Sequence, residues 1–381
     1  MTNNMDKWQE IQGIYIHIPF CLQKCAYCDF ASFPRQSEEI MQQYTQRLCQ
    51  EITTWRGALP VVPNATIYWG GGTPSVLPLK YLEQIVNTLK AGGLWQKPAE
   101  VTIEANPGTL SLHKLAALRA MGFDRLSMGI QSLQDDELKL MGRIHNSEEA
   151  LLAIQEAKEA GFTRISGDLI YGYPTQTKAT LANSLARLVA TGIKHISVYG
   201  LTVEETTPLA QQLAKGEVVL PTEDEAGDMY DLVNKYLPGQ GIKRYEISNY
   251  AVAGQESQHN LVYWHYYPYL GFGLNATGFD GHQRTTNVRT MKEYLQGKEP
   301  LKEELTRETS LSECIFMGLR LTQGINIEEI EKRYALNFFS QYGQILEETQ
   351  HQGLITVEQG HTIRLTERGM ALGNVVFEKF L

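Results

Sequence analysis

Along the first 250 residues one pattern of apolar and polar positions recurs. A short run rich in β-branched and aromatic residues ends in a polar or glycine-rich stretch. Apolar residues at helical spacing then follow. The runs are 13–20, 65–69, 100–105, 125–130, 165–170 and 195–200. Each is mostly apolar and bounded by turn residues, which predicts parallel strands covered on both faces. Between them, Ser147-Glu148-Glu149 opens a stripe of Ala150, Leu151, Ile154 and Ala157 that Gly161 closes. Thr222 and Glu225 form a capping box ahead of Met229, Leu232 and Val233. Alternating strand and helix predicts an α/β fold of βαβ units with right-handed crossovers. Six units suit a barrel, a partial barrel or an open sheet, and periodicity alone does not choose.

Near residue 240 the pattern changes. Residues 243–250 read as one more strand, 254–258 as a polar turn, and 263–269 as an aromatic-rich stretch. From about Glu308 the order is three helices, a hairpin (354–357 and 362–365 around Gly360) and a helix. That order predicts a winged-helix-like α+β domain. The expected divisions are therefore 1–240, 241–300 and 301–381. Winged helices often bind DNA, but residues 301–381 hold 8 Lys/Arg against 12 Asp/Glu. A DNA reader needs a basic face, so no nucleic-acid partner is expected.

Composition sharpens this little. The net charge of −9 gives no basic excess to recruit nucleic acid or anionic lipid. The first ten residues are polar, and no apolar run approaches the roughly 18 residues of a membrane span. A soluble, cytoplasmic protein without a transmembrane segment is expected. The five cysteines matter more: Cys21, Cys25, Cys28, Cys49 and Cys314. They are odd in number and too few for a disulfide scaffold. Cys49 and Cys314 fall in helical patterns and read as core thiols.

Cys21, Cys25 and Cys28 form C-x3-C-x2-C directly after the first strand run. Structural zinc wants four protein ligands, and no fourth Cys or nearby His supplies one; the nearest, His17, lies inside the strand. An iron–sulfur cluster fits better, since thiolates are its usual ligands. A 4Fe–4S cluster held by three cysteines keeps one iron open for chemistry. After the second run comes Gly70-Gly71-Gly72-Thr73, where glycines let a backbone approach a ligand closely and expose its N–H groups. Glu104, Gln131 and Asp168 stand at or just past the ends of the next strand runs, and Arg143 lies in a following loop. Ligand-binding residues of parallel α/β folds gather at that edge.

With these motifs in place, the sequence resembles the radical S-adenosylmethionine (radical SAM) superfamily, whose core is a partial (β/α)6 TIM-like barrel. The resemblance implies that the open iron chelates SAM and that one electron cleaves it to a 5′-deoxyadenosyl radical. It assigns the Gly71, Gly72 and Thr73 loop to the amino-acid end of SAM. Carboxylates such as Glu104 and Asp168 suit the ribose hydroxyls and amine, and Arg143 suits the SAM carboxylate; Gln131 completes the set. Tyr15-Ile16-His17-Ile18-Pro19-Phe20 matches the coproporphyrinogen-oxidase-like subfamily. That match places Tyr15 near the SAM sulfonium and gives Tyr27 the aromatic place between the last two cysteines.

Two branches share these motifs: the oxygen-independent oxidase HemN and the heme chaperone HemW. HemN carries a further cysteine where this chain has Phe30, and a longer extension than the 14 residues before Tyr15. HemW proteins carry H-N-x-x-Y-W, which His259-Asn260-Leu261-Val262-Tyr263-Trp264 matches in full. The resemblance is therefore to the chaperone branch. It implies heme bound near His259, delivery to client hemoproteins, membrane-attached respiratory enzymes among them, a homodimer, and no oxidase activity. The alternative is the oxidase, a decarboxylase of porphyrinogen propionates. Independently, an imidazole can ligate heme iron, and Tyr263, Trp264, Tyr266, Tyr267 and Tyr269 offer flat apolar surface for a porphyrin. His265 is a second candidate ligand. Thr277 stands where relatives often have His, which leaves the finer ligation pattern open.

Overall fold

The computed structural model describes residues 4–381; residues 1–3, part of the polar start read above, lie outside them. Six parallel strands lie side by side in chain order: β1 (Ile11–Ile18), β2 (Val61–Gly71), β3 (Val101–Ala105), β4 (Arg125–Gln131), β5 (Arg164–Tyr171) and β6 (His195–Gly200). Helices such as Glu38–Thr54, Leu79–Ala91 and Lys178–Ala190 connect them and pack on the outside. The sheet does not close. Beyond β1 it continues through Tyr269–Phe272, Thr277–Phe279, Gln283–Thr286 and Leu301–Glu304. Beyond β6 it continues through Asn249–Ala251 and Lys243–Arg244. The result is a partial (β/α)6 barrel in an extended sheet.

The strand faces differ from the doubly apolar pattern expected. Ile67 and Trp69, Ile103, Leu126 and Met128, Leu169, Ile196 and Val198 point outward into the helix-covered core. The alternate residues, Tyr68, Glu104, Arg125, Ser127, Asp168, His195 and Ser197, line an interior cavity. Successive side chains on a strand take opposite faces. A closed barrel fills its interior with branched apolar side chains. This open one keeps a polar interior, so only one face of each strand is core.

Residues 243–250 form a hairpin and not a single strand. The Glu246 carboxylate accepts from Ser248 N at 3.1 Å and from the Asn249 side chain, which folds the chain back. The aromatic stretch opens as the helix Gln258–Trp264, capped by Ser257. Its first N–H groups point at a carboxylate: Glu100 accepts from Gln258 N and His259 N, both at 3.1 Å. Glu100 is fully buried, and Arg164 pairs with it at 2.7 Å. Both residues sit at the N-terminal ends of β3 and β5, opposite the edge that carries the cysteines. The C-terminal part follows the winged-helix-like order: helix Arg307–Leu319, helices Ile327–Tyr334 and Phe338–His351, then the hairpin Ile355–Glu358 and Thr362–Leu365. It holds a second apolar core, with Leu311, Ile315, Phe338, Leu346 and Ile363. No helix among the described residues is long and apolar enough to cross a membrane.

Removing one partner of a buried ion pair strands the other charge. Glu100→Ala is expected to lower the unfolding free energy by about 3 kcal/mol or more, read by urea denaturation. The double variant Glu100→Ala/Arg164→Met should recover part of the loss. A single-variant loss below about 1 kcal/mol would remove this pair from the helix's support.

Candidate functional site

The cysteine loop starts where β1 ends, and the glycine loop starts where β2 ends. The two are joined by backbone: Gly72 N donates to Ile18 O at 2.9 Å and Thr73 N to Phe20 O at 2.8 Å. Gly71 N donates to Glu104 Oε2 at 3.3 Å. The N–H groups expected to face a ligand are therefore spent inside the protein. What the loop provides is room. A Cβ on Gly72 would lie 2.9 Å from Cys21 Sγ and 2.8 Å from Phe20 O. Gly71 has φ +119°, and a Cβ there would meet the His17 ring at 2.7 Å.

Contacts from three other strands reach the thiols. Thr73 Oγ1 lies 3.6 Å from Cys21 Sγ and accepts from Asn106 Nδ2 at 3.3 Å. Arg143 donates to Cys25 Sγ at 3.2 Å, to Asn106 Oδ1 and to Gly129 O. Burial pushes the Cys21 and Cys28 thiols up, so metal binding must displace their protons. Among the described residues no three His, Cys, Asp or Glu side chains converge as they would around a single ion.

Two carboxylates face that cavity. Burial pushes Glu104 up to about 7, with the Asp168 charge adding, while bonds from Tyr68 and Gly71 pull it back. Tyr68 donates to Glu104 Oε1 at 2.7 Å. Asp168 is also raised by burial, and Ser127 and Ser166 donate to it. Gln131 takes φ 69° at a bulge between β4 and β5, which ends the strand and turns its side chain to the cavity.

One cavity of about 510 Å³ is lined by Cys21, Cys25, Cys28, Gly71, Gly72, Thr73, Glu104, Gln131, Arg143 and Asp168. Tyr15 and His259 do not line it. The Tyr15 hydroxyl bonds His17 Nδ1 at 3.0 Å, and the His17 Nε2 bonds Ala31 O at 3.2 Å. A carbonyl can only accept, so Nε2 carries the proton and Nδ1 accepts from Tyr15. Tyr68, Asn106 and the bond from Tyr15 to His17 carry no local signal in the sequence. Only the inward register of β1–β3 marks them, and that register is invisible before pairing is known.

His259 is fully buried. Its Nδ1 bonds Thr66 Oγ1 and its Nε2 bonds Tyr263 OH, both at 2.8 Å. Burial lowers it to about 3. It stacks on Tyr68 with centroids 5.1 Å apart, so the motif helix and the Glu104 side of the cavity share one aromatic residue. His265 is half-buried and lines a separate cleft of about 260 Å³ with Trp8, Trp264, Tyr267, Cys314 and Arg333. Thr277 lies on a sheet strand with its hydroxyl 3.1 Å from that of Thr286. Cys314 is buried and Cys49 half-buried, each in a helix.

The Tyr68 bond can be tested without any ligand. Glu104 should titrate near 7 in carboxyl-labelled NMR of the wild-type protein. Tyr68→Phe removes a donor that favours the ionised form, so the midpoint should move upward. A midpoint that stays or falls would contradict the assignment.

The Radical SAM superfamily model matches residues 15–188, and the HemN C-terminal domain model matches residues 305–372. The chain is 36% identical to the heme chaperone HemW of Bacillus subtilis, over 97% of this chain and 99% of that protein. It is 33% identical to the heme chaperone HemW of Lactococcus lactis, over 98% of each. Among solved structures, coproporphyrinogen III oxidase (HemN) from Escherichia coli aligns with a TM-score of 0.84 at 25% identity, covering 98% of this chain and 90% of that one. Full-length identity at this level, on a partial barrel with its cysteines at the strand ends, makes this chain a member of the HemW family within the radical SAM superfamily.

Proposed function

We propose that this chain is a heme chaperone, which binds heme and passes it to client hemoproteins with the help of a 4Fe–4S cluster and SAM. The reading is carried by the His259–Trp264 motif in a chain alike over nearly its whole length to proteins named for that role. Cys21, Cys25 and Cys28 would hold the cluster; they line one cavity, and Gly72 leaves space that any Cβ would fill. When bound, the cluster and SAM supply one-electron chemistry. Around them, Arg143 would bind the SAM carboxylate, Glu104 and Asp168 would take its amine and ribose hydroxyls, and Gln131 and Gly71–Thr73 would line its seat. Tyr15 would lie behind this lining, its hydroxyl bonded to His17, and would reach the sulfonium only if the cavity wall shifts.

Heme ligation through His259 requires one ring nitrogen to give up its partner, Thr66 or Tyr263, and the buried ring to become accessible. Opening this helix is thus part of the proposal. Membrane-attached respiratory hemoproteins are the proposed clients, a homodimer the proposed assembly, and the cytoplasm the proposed location. The oxidase reading is favoured by one observation, the convergence of the SAM-type residues on a single cavity.

Three anaerobic measurements, on the wild type and two variants, test this. Wild-type protein should bind heme and should not convert coproporphyrinogen III when given SAM and a reductant; turnover would favour the oxidase. Heme affinity should fall at least about tenfold, about 1.4 kcal/mol, in His259→Ala. Undiminished binding would move ligation to His265. Cys25→Ser should lose the thiolate-to-iron absorbance of the reconstituted protein, and retention would remove Cys25 from the ligand set.

A further inference from the structure

The cavity does not end at the residues assigned to SAM. Its inner end is lined by Arg125, His195, Ser197, Asn249, Ser257 and Asn260. Arg125 is only 2% exposed, and among the described residues it makes no ion pair. Its one hydrogen bond reaches the Gln255 carbonyl at 3.5 Å, and its Nε has no partner. The contrast with its neighbour is direct. Arg164 pairs with Arg125 in the β4–β5 register and has Glu100 at 2.7 Å. Of two adjacent guanidinium groups at this end of the barrel, one is neutralised by a carboxylate and the other faces the cavity.

No carboxylate among the described residues forms an ion pair with Arg125, although Asp168 lies within reach of its charge. His195 is kept neutral by burial and is bonded to Ser166 at 2.8 Å and Tyr245 at 2.9 Å. The Asp168 carboxylate is held by serine hydroxyls and makes no ion pair with Arg125, whose charge nevertheless favours its ionised form. An unpaired buried cation is unfavourable. A guanidinium presents its donors as a planar fork that matches a carboxylate.

We propose that the inner end of this cavity is a carboxylate-binding site with Arg125 as its cation. The ligand is an organic carboxylate. The favoured source is a propionate arm of a porphyrin, because Asn260, the second residue of the His259–Trp264 motif, lines the same end. That choice of source rests on the heme reading; the carboxylate site does not.

The test uses the full-length reconstituted protein and probes without iron, so its outcome is independent of His259. Protoporphyrin IX and its dimethyl ester are titrated by fluorescence, and succinate by calorimetry. The diacid should bind at least about tenfold more tightly than the diester. Arg125→Gln should weaken the diacid by a similar factor and leave the diester unchanged. If the two porphyrins bind alike while succinate binds in an Arg125-dependent way, the site stands and its ligand is a small molecule. Binding of diacid and succinate that ignores Arg125→Gln, in a variant that melts like wild type, overturns the site. If that variant does not fold, Arg125→Lys decides, since it keeps the charge and loses the fork. Carboxylate affinity should then fall about threefold or more, and wild-type affinity would overturn the site.

Discussion

Two backbone hydrogen bonds, Gly72 N to Ile18 O and Thr73 N to Phe20 O, carry the architecture of the site. They continue the parallel register of β1 and β2 past the point where both strands end. The first cysteine is thereby set against the glycine loop. From there a chain of side-chain contacts runs from Cys21 through Thr73, Asn106 and Arg143 to Cys25. Residues from the ends of β1, β2 and β3 and from the loop after β4 thus hold two thiols of one loop. Free cysteines in an irregular loop would have no such order.

The same strands divide the protein into a part that supplies stability and a part kept polar for chemistry. Outward side chains such as Ile67, Trp69, Leu126 and Ile196 pack under helices. Inward ones would be costly if bare. Most are satisfied internally: Asp168 by serines, Glu104 by Tyr68 and Gly71, His195 by Ser166 and Tyr245. The barrel's lower end is stoppered by a helix whose N-terminus rests on the Glu100–Arg164 pair. The His259–Trp264 motif therefore serves two ends: His259 helps close the barrel, and Asn260 faces into it.

Much of the fold was legible in the chain. Six βαβ units, the Thr222 capping box and the C-terminal hairpin all appear where the pattern of residues placed them. The helix from Ser147 begins where the pattern placed it, and Asn146 caps it. The misreadings have local physical causes. Residues 243–250 look like one strand because their alternation continues through the turn, yet Glu246 bends the chain by bonding to the two residues after the bend. The expected free N–H groups of the glycine loop could not be checked from sequence, because their acceptors lie on another strand.

The sequence by itself determined the chemical types: three closely spaced thiols, a glycine-rich turn, polar residues at strand ends, and an H-N-x-x-Y-W motif. These follow from local spacing, which any reader of the chain can count. Only the tertiary structure decided which of these groups share a space. Cys21, Glu104, Gln131, Arg143 and Asp168 meet because parallel strands bring their ends to one edge. His259 is drawn into the barrel floor, and Arg125 is left facing the cavity without an ion-pair partner among the described residues. Strand register and side-chain burial set both outcomes, and both are properties of residues far apart in the chain.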